Sequence, residues 1–202
     1  FTTTAAENSK LTITNDVTAN AVTHTYTGGA ATQNVTITTL QSNVSTVNAA
    51  NLASNLTITT RDNDGAMSIT TGSGNDSFAM RNAADSLNAG GGTADVLTVI
   101  RSAPLGGIVV DLSSTVDQIT FFNGGTNAAV QVGFERVDLS QYTGGFGSEV
   151  TGSSIANVIT GTSMADVISA GAGADTVTGG SGNDTITGGE GADSIIGGVG
   201  ID

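Results

Sequence analysis

The chain has 202 residues, with 29 Gly, one Pro, no Cys and no Trp, and 18 acidic residues against five Lys or Arg give it a formal net charge of −13. Such a charge repels nucleic acids and anionic membranes and favours cations as partners. No apolar run of about 18 residues is present to cross a bilayer, so we expect neither nucleic-acid binding nor membrane insertion.

Residues 1–146 are rich in Thr, Asn, Ala and Val that alternate with a period of two, which favours strands over helices. The segment "NVTITT" (residues 34–39) recurs 21 residues later as "NLTITT" (residues 55–60). Further predicted strands are "DVLTVI" (95–100), "GIVVDL" (107–112), "QITFF" (118–122) and "AVQVGFERVDLS" (129–140). Two architectures fit this region, a β-solenoid with coils of about 20 residues and a β-sandwich, and the repeat spacing favours the solenoid.

Two glycine-rich segments within this region carry acidic residues. "GSGNDSF" (residues 72–78) contains Asp76, and "GGGTADVL" (residues 90–97) contains Asp95. We interpret Asp76 and Asp95 as candidate cation ligands. The alternative is that both carboxylates cap tight turns.

The C-terminal part, residues 147–202, has a nine-residue period. Aspartates recur at this spacing, and an aliphatic residue stands two positions after each of the first four. The aspartates are Asp166, Asp175, Asp184, Asp193 and Asp202, and the aliphatic residues are Ile168, Val177, Ile186 and Ile195. Each unit predicts a short strand followed by a glycine-rich turn. Because one unit buries only one apolar side chain, stability requires stacking of successive units into an internal aliphatic ladder.

Charge in this array requires a counterion. Residues 141 to 202 contain seven acidic residues and no Lys or Arg. Stacked carboxylates would repel one another by about 1 kcal/mol per close pair near a surface. Carboxylates and turn carbonyls are oxygen ligands that suit Ca²⁺, so the sequence predicts several bound Ca²⁺ ions.

The units "GGSGNDTIT" (residues 179–187) and "GGEGADSII" (residues 188–196) resemble the G-G-x-G-x-D-x-aliphatic-x nonapeptide of the RTX (repeats-in-toxin) family. The resemblance implies a right-handed parallel β-roll, with two units per coil and Ca²⁺ held between turns of successive coils. It places Asp166, Asp184 and Asp202 on one edge and Asp175 and Asp193 on the other. The implied carbonyl ligands are Gly171, Gly173, Gly180, Gly182, Gly189 and Gly191.

Two other segments are compared with this pattern. The unit "ANVITGTSM" carries Asn157 in place of Asp, so we expect it to lack a full site and to join the roll to the preceding region. The segment around Asp76 and Asp95 resembles isolated repeat pairs of large RTX-bearing surface proteins.

The pentapeptide "GTSMA" around Ser163 matches the nucleophile segment of subtilisin-like proteases, but the sequence gives it no catalytic partners. Asp166 and Val167 follow it, and the only histidine is His24. Ser163 falls in the turn phase of the repeat. We therefore predict no catalytic residues, no organic cofactor and no enzymatic activity.

The predicted function is structural. The chain begins at Phe1 and stops within a repeat, so we interpret it as part of a longer protein. Its Thr-, Ala- and Gly-rich composition looks like that of surface-layer proteins that carry RTX repeats. This likeness implies secretion to a bacterial cell surface and Ca²⁺-dependent self-assembly with identical subunits, with a cell-surface polysaccharide as a further candidate partner. The alternatives are the stalk of an RTX adhesin and the secretion and folding module of a type I-secreted hydrolase.

Overall fold

The computed structural model describes residues 2–5, 22–28, 35–37, 44–53, 55–60, 66–102, 104–122, 125–127 and 129–202. The first strands are β1 (Thr2–Ala5), β2 (Val22–Gly28), β3 (Val35–Ile37), β4 (Val44–Asn48), β5 (Leu56–Thr59), β6 (Ser68–Thr70), β7 (Ser77–Met80), β8 (Ser86–Asn88), β9 (Val96–Val99), β10 (Arg101–Ser102) and β11 (Ile108–Asp111). The later strands are β12 (Ile119–Phe122), β13 (Gly125–Thr126), β14 (Gln131–Val132), β15 (Arg136–Asp138), β16 (Tyr142–Thr143), β17 (Ser148–Thr151), β18 (Val158–Thr160), β19 (Val167–Ala172), β20 (Thr176–Ser181), β21 (Thr185–Glu190) and β22 (Ser194–Val199). No helix occurs among the described residues, and so none that could span a membrane.

These strands form a parallel β-solenoid. One face is an eight-stranded parallel sheet in the order β22-β20-β18-β15-β9-β7-β5-β3. The other face consists of two six-stranded sheets, β1-β2-β4-β6-β8-β14 and β13-β12-β11-β17-β19-β21. The prediction of an all-β fold is confirmed. Of the two architectures considered for the N-terminal region, the solenoid is the one observed.

Coil length accounts for the two repeat periods. Val35 pairs with Leu56, 21 residues later, which is the spacing between the two similar segments. Thr38 and Thr39 of the first segment lie outside the described residues. In the C-terminal coils Ile168 pairs with Ile186, 18 residues later, so two nine-residue units make one coil.

The core is a pair of ladders of apolar side chains between the two faces. On the eight-stranded face the ladder runs through Ile58, Phe78, Leu97, Val137, Ile159 and Val177, all buried. Phe78 also packs edge-on against Phe134, with ring centroids 5.3 Å apart. The eight-stranded sheet crosses residue 146 without a break, because β15 pairs with both β9 and β18.

One segment departs from solenoid geometry. The strands β11, β12 and β13 pair antiparallel, and β10 pairs with β16 in a separate two-stranded sheet. The single strand predicted over residues 129–140 was wrong: β14 and β15 lie in different sheets. The chain turns between them at Gly133, whose φ of 84° is in the region that glycine adopts most readily.

Two buried glutamines lie where the second face changes from one sheet to the next. The Gln118 side chain donates to the carbonyls of Leu112 (3.1 Å) and Phe134 (2.9 Å). The Gln131 side chain donates to the Asp85 carbonyl at 2.5 Å. These amides satisfy backbone carbonyls that the interrupted ladder leaves without strand partners.

The internal ladder gives a direct stability test. Ile168 is buried, whereas the adjacent Val167 is 55 % exposed on the opposite side of the strand. Ile168→Val is expected to lower the free energy of unfolding by about 1 kcal/mol, measured by urea titration. Val167→Ala is the control and is expected to change it by less than about 0.5 kcal/mol. Equal effects of the two substitutions would contradict the ladder.

Candidate metal centre

Acidic side chains line one edge of the C-terminal coils. Asp166 and Asp184 directly precede a strand, and the aspartate carboxylate of each coil accepts the backbone N–H of the corresponding residue one coil earlier. Asp166 Oδ1 accepts from Ser148 N–H (2.5 Å), Asp184 Oδ1 from Asp166 N–H (2.9 Å) and Asp202 Oδ1 from Asp184 N–H (3.1 Å). We call Asp166, Asp184 and Asp202 the first column.

The other edge carries a longer column that begins in the N-terminal coils. Asp76 Oδ1 accepts the Leu56 N–H (2.7 Å), Asp95 Oδ1 accepts the Asp76 N–H (2.6 Å), and Glu135 Oε2 accepts the Asp95 N–H (2.9 Å). The sequence analysis singled out Asp76 and Asp95 but missed Glu135, because 40 residues separate Asp95 from Glu135 along the chain.

This second column continues into the C-terminal array. The Asn157 side-chain amide donates to the Glu135 carbonyl (2.8 Å), and the Asn157 N–H donates to Asp175 Oδ1 (2.8 Å). Asp193 Oδ1 then accepts the Asp175 N–H (3.1 Å). We call Asp76, Asp95, Glu135, Asn157, Asp175 and Asp193 the second column. The structure therefore places the predicted aspartates on two edges, with both acidic segments on the same edge as Asp175.

The second carboxylate oxygen distinguishes the members of the columns. In Asp76, Asp95, Asp175 and Asp184 the Oδ2 atom is buried and has no hydrogen-bond partner among the described residues. A buried polar atom left unsatisfied costs about 1–3 kcal/mol, and more when it is charged. Each of these oxygens is thus suited to a cation that would compensate for its lost hydration.

Asp166 differs from these four residues. Its Oδ2 accepts the Thr162 N–H at 2.8 Å, and its Oδ1 also accepts the hydroxyls of Ser148 and Thr162, each at 2.9 Å. Thr162 stands where the repeat otherwise has glycine. The Asp166 carboxylate is therefore satisfied by hydrogen bonds within the protein.

Glycines in the turns adopt backbone conformations that direct carbonyls between coils. The six predicted carbonyl ligands all have φ between 101° and 130°; they are Gly171, Gly173, Gly180, Gly182, Gly189 and Gly191. A Cβ on Gly189 would collide with the Gly171 carbonyl oxygen, and one on Gly191 with that of Gly173. The carbonyls of one turn therefore face the backbone of the turn in the next coil.

A further glycine was missed by the sequence analysis. Gly179 is the first residue of its repeat. A Cβ at residue 179 would stand within 2.5 Å of both the Asp184 Oδ2 and the Gly197 carbonyl oxygen. A side chain at residue 179 would fill the space that these two oxygens border. The signal was present in the nonapeptide, because glycine is required there for room rather than for its φ.

Burial and like charge act on these carboxylates. Burial, followed by the charges of Asp166 and Asp202, raises the pKa of Asp184. Burial raises the pKa of Asp95 to about 7, assisted by the charges of Glu135 and Asp76 and opposed by the N–H groups of Asp76 and Gly92. Both shifts reflect carboxylates that would be stabilised by a nearby positive charge.

Side chains alone do not build a metal shell. No group of three or more Asp, Glu, His or Cys side chains converges within the described ranges. A Ca²⁺ ion takes six to eight oxygen ligands, so backbone carbonyls of the glycine turns would have to supply most of them.

The C-terminal sequence matches a known repeat. Residues 151–186 and 170–202 match the family described as RTX calcium-binding nonapeptide repeat (4 copies). Residues 151–202 are RTX repeats. The resemblance inferred from the nonapeptides is confirmed, and RTX repeats bind calcium. Comparison with curated proteins and with solved structures finds no match.

Two of the carboxylates with an unsatisfied oxygen lie within the RTX repeats. Asp175 and Asp184 each present a buried oxygen without a partner, and Asp193 and Asp202 continue their columns. A bound Ca²⁺ would supply positive charge between successive coils and neutralise the stacked carboxylates.

Proposed function

We propose that this chain is a calcium-dependent structural segment of a secreted surface protein. The observation that carries the proposal is the set of column carboxylates within the RTX repeats, where the buried Oδ2 atoms of Asp175 and Asp184 have no hydrogen-bond partner among the described residues. Proteins with RTX repeats are typically secreted. A cation that binds only the folded chain stabilises it by about 2.7 kcal/mol at 100 times its dissociation constant.

Coupling between calcium binding and folding would assist export of the chain. Calcium is scarce in the cytosol and plentiful outside the cell, so the repeats stay unfolded before export and fold after it. The repulsion among stacked carboxylates keeps the metal-free repeats from folding early. Millimolar external calcium is sufficient for extracellular sites of modest affinity.

A structural rather than enzymatic role is supported by the positions of the residues that suggested a protease. Ser163 lies at the corner between β18 and β19, in the same turn as Asp166. His24 lies on β2, in the six-stranded sheet that begins with β1. Ser163 and His24 therefore lie on different coils of the solenoid.

β22 is the edge strand of the last described coil. β22 pairs with β20 on one side, and it has no other partner among the described strands. Its Ile196 and Val199 are 60 % and 74 % exposed. A further coil, from the same chain or from a second copy, could add in register there. We propose that copies assemble into an extracellular lattice or filament of the surface-layer kind.

Circular dichroism and size-exclusion chromatography with light scattering test this proposal on the 202-residue chain. Strand signal is expected to rise cooperatively on addition of Ca²⁺ and to be reversed by a chelator, and the mass is expected to exceed that of the monomer only in Ca²⁺. A Ca²⁺-folded monomer would contradict assembly and favour the adhesin stalk. Strand signal that is equal in Ca²⁺ and chelator would refute the calcium-dependent role.

A further inference from the structure

We propose a second, independent cation site in the N-terminal solenoid, at the corner formed by Asp95, Gly92 and the Gly74 carbonyl, outside the RTX repeats. Residues 151–202 match the RTX repeat, and Asp95 precedes them by more than 50 residues. The ligand is a hard divalent cation of the Ca²⁺ type, because the atoms that face the corner are oxygens.

The first observation is a buried carboxylate oxygen without a hydrogen-bond partner. Asp95 has no exposed surface, and its Oδ1 accepts the Asp76 N–H at 2.6 Å. Its Oδ2 has no hydrogen-bond partner within the described part of the chain. Buried carboxylate oxygens are normally paired, so this atom is suited to a cation.

The second observation is the set of oxygens that surround the Cβ position of residue 92. Both carboxylate oxygens of Asp95 and the Gly74 carbonyl oxygen lie within 2.6 Å of the point where a Cβ of residue 92 would stand. Gly92 is not among the glycines with positive φ, so its conformation alone does not require glycine. Because residue 92 has no side chain, these three oxygens converge on one point.

The same arrangement occurs inside the RTX repeats with a different local sequence. At Gly179 the nearest oxygens are the Oδ2 of Asp184, which lies five residues later, and the carbonyl of Gly197, which lies in the adjacent coil. At Gly92 they are the Asp95 Oδ2, three residues on, and the Gly74 carbonyl, also of an adjacent coil. The oxygens recur although the nonapeptide spacing does not.

The local charge favours a cation. Asp76, Asp95 and Glu135 stack on successive coils of the second column, and the Asp76 Oδ2 is likewise buried and unsatisfied. Arg136 is the cation that acts on Glu135. Strand spacing of about 4.8 Å sets the carboxylates close enough to repel each other, and a divalent ion beside Asp95 would offset that repulsion.

Equilibrium dialysis with radioactive Ca²⁺ tests the site on the whole chain. Asp95→Asn is expected to bind one Ca²⁺ fewer than the parent. Asparagine is suited to this column, because Asn157 already occupies it and its side-chain amide donates to the Glu135 carbonyl of the neighbouring coil. Gly92→Ala places a methyl group among the three oxygens and is also expected to lose one ion. Gly91→Ala is the matched control, since no atom lies within 4 Å of its added Cβ, and it is expected to keep the parent's stoichiometry.

A variant of the RTX repeats separates this site from the proposed function. With Asp175→Asn, Asp184→Asn and Asp193→Asn combined, one Ca²⁺ is expected to remain bound, and Asp95→Asn added to that variant is expected to abolish it. Equal stoichiometry in the parent and in Asp95→Asn would overturn the site, and Asp95 would then be a protonated acid. If Asp95→Asn fails to fold, Mn²⁺ added to the parent decides the question: selective broadening of the Gly92 and Asp95 amide resonances supports the site, and its absence overturns it.

Discussion

The double variant Asp175→Asn with Asp184→Asn is expected to need about 100-fold more Ca²⁺ to fold than the parent, a change of about 2.7 kcal/mol. Asparagine keeps the oxygen that accepts the neighbouring N–H, in the geometry seen at Asp175 and Asp184. It replaces the buried, unsatisfied Oδ2 with an amide that cannot bind a cation. Far-UV circular dichroism during a Ca²⁺ titration measures the midpoint.

Two single variants make this test specific. Asp138→Asn is the control: the Asp138 carboxylate accepts the Ser140 N–H (2.9 Å), outside both columns, so the midpoint should not move. Asp166→Asn is expected to shift the midpoint less than Asp184→Asn, since both oxygens of Asp166 are already hydrogen-bonded within the protein. A larger shift for Asp166→Asn than for Asp184→Asn would show that unsatisfied oxygens do not identify the calcium ligands.

The architecture of the repeats could be predicted from the sequence because it depends on a local pattern. Each aliphatic residue needs a neighbour above and below it, so a nine-residue unit with one such residue predicts stacking of the units. The resemblance to RTX repeats added the two units per coil, and with them the placement of Asp184 and Asp175 on opposite edges. In the N-terminal region the 21-residue recurrence gave the pairing of Val35 with Leu56.

The remaining features depend on residues that are distant in the sequence. Glu135 enters the second column because a segment of antiparallel strands separates it from Asp95 and then returns the chain to the same sheet. Gln118 and Gln131 look like surface residues in the sequence, yet both are buried and bind carbonyls. Asp166 accepts the backbone N–H of Thr162 at Oδ2 and the Thr162 hydroxyl at Oδ1. No period in the sequence indicates these contacts.

Acidification is expected to have opposite effects on the metal-free and the calcium-bound protein. An aspartate in an unfolded chain has a pKa of about 3.9, whereas burial raises the pKa of Asp95 to about 7 in the folded chain. Between these values the folded chain holds a proton that the unfolded chain has lost. Folding without metal is therefore most favourable at low pH and becomes less favourable as the pH rises toward 7, with no further change from this group above it.

Burial also raises the pKa of Asp76, Glu135 and Asp184, so their contributions have the same sign. In chelator, more strand signal is expected at pH 5 than at pH 8. Calcium binds the deprotonated carboxylates, so the Ca²⁺ midpoint is expected to rise as the pH falls below 7, by up to about tenfold per pH unit for each coupled proton. Circular dichroism at both pH values, with and without Ca²⁺, measures both effects.

Asp95→Asn removes the group with the pKa of about 7 and should weaken the pH dependence in chelator. More strand signal at pH 8 than at pH 5 in chelator would mean that the buried carboxylates are ionised and stabilised in the metal-free protein, and the case for a cation beside them would fail.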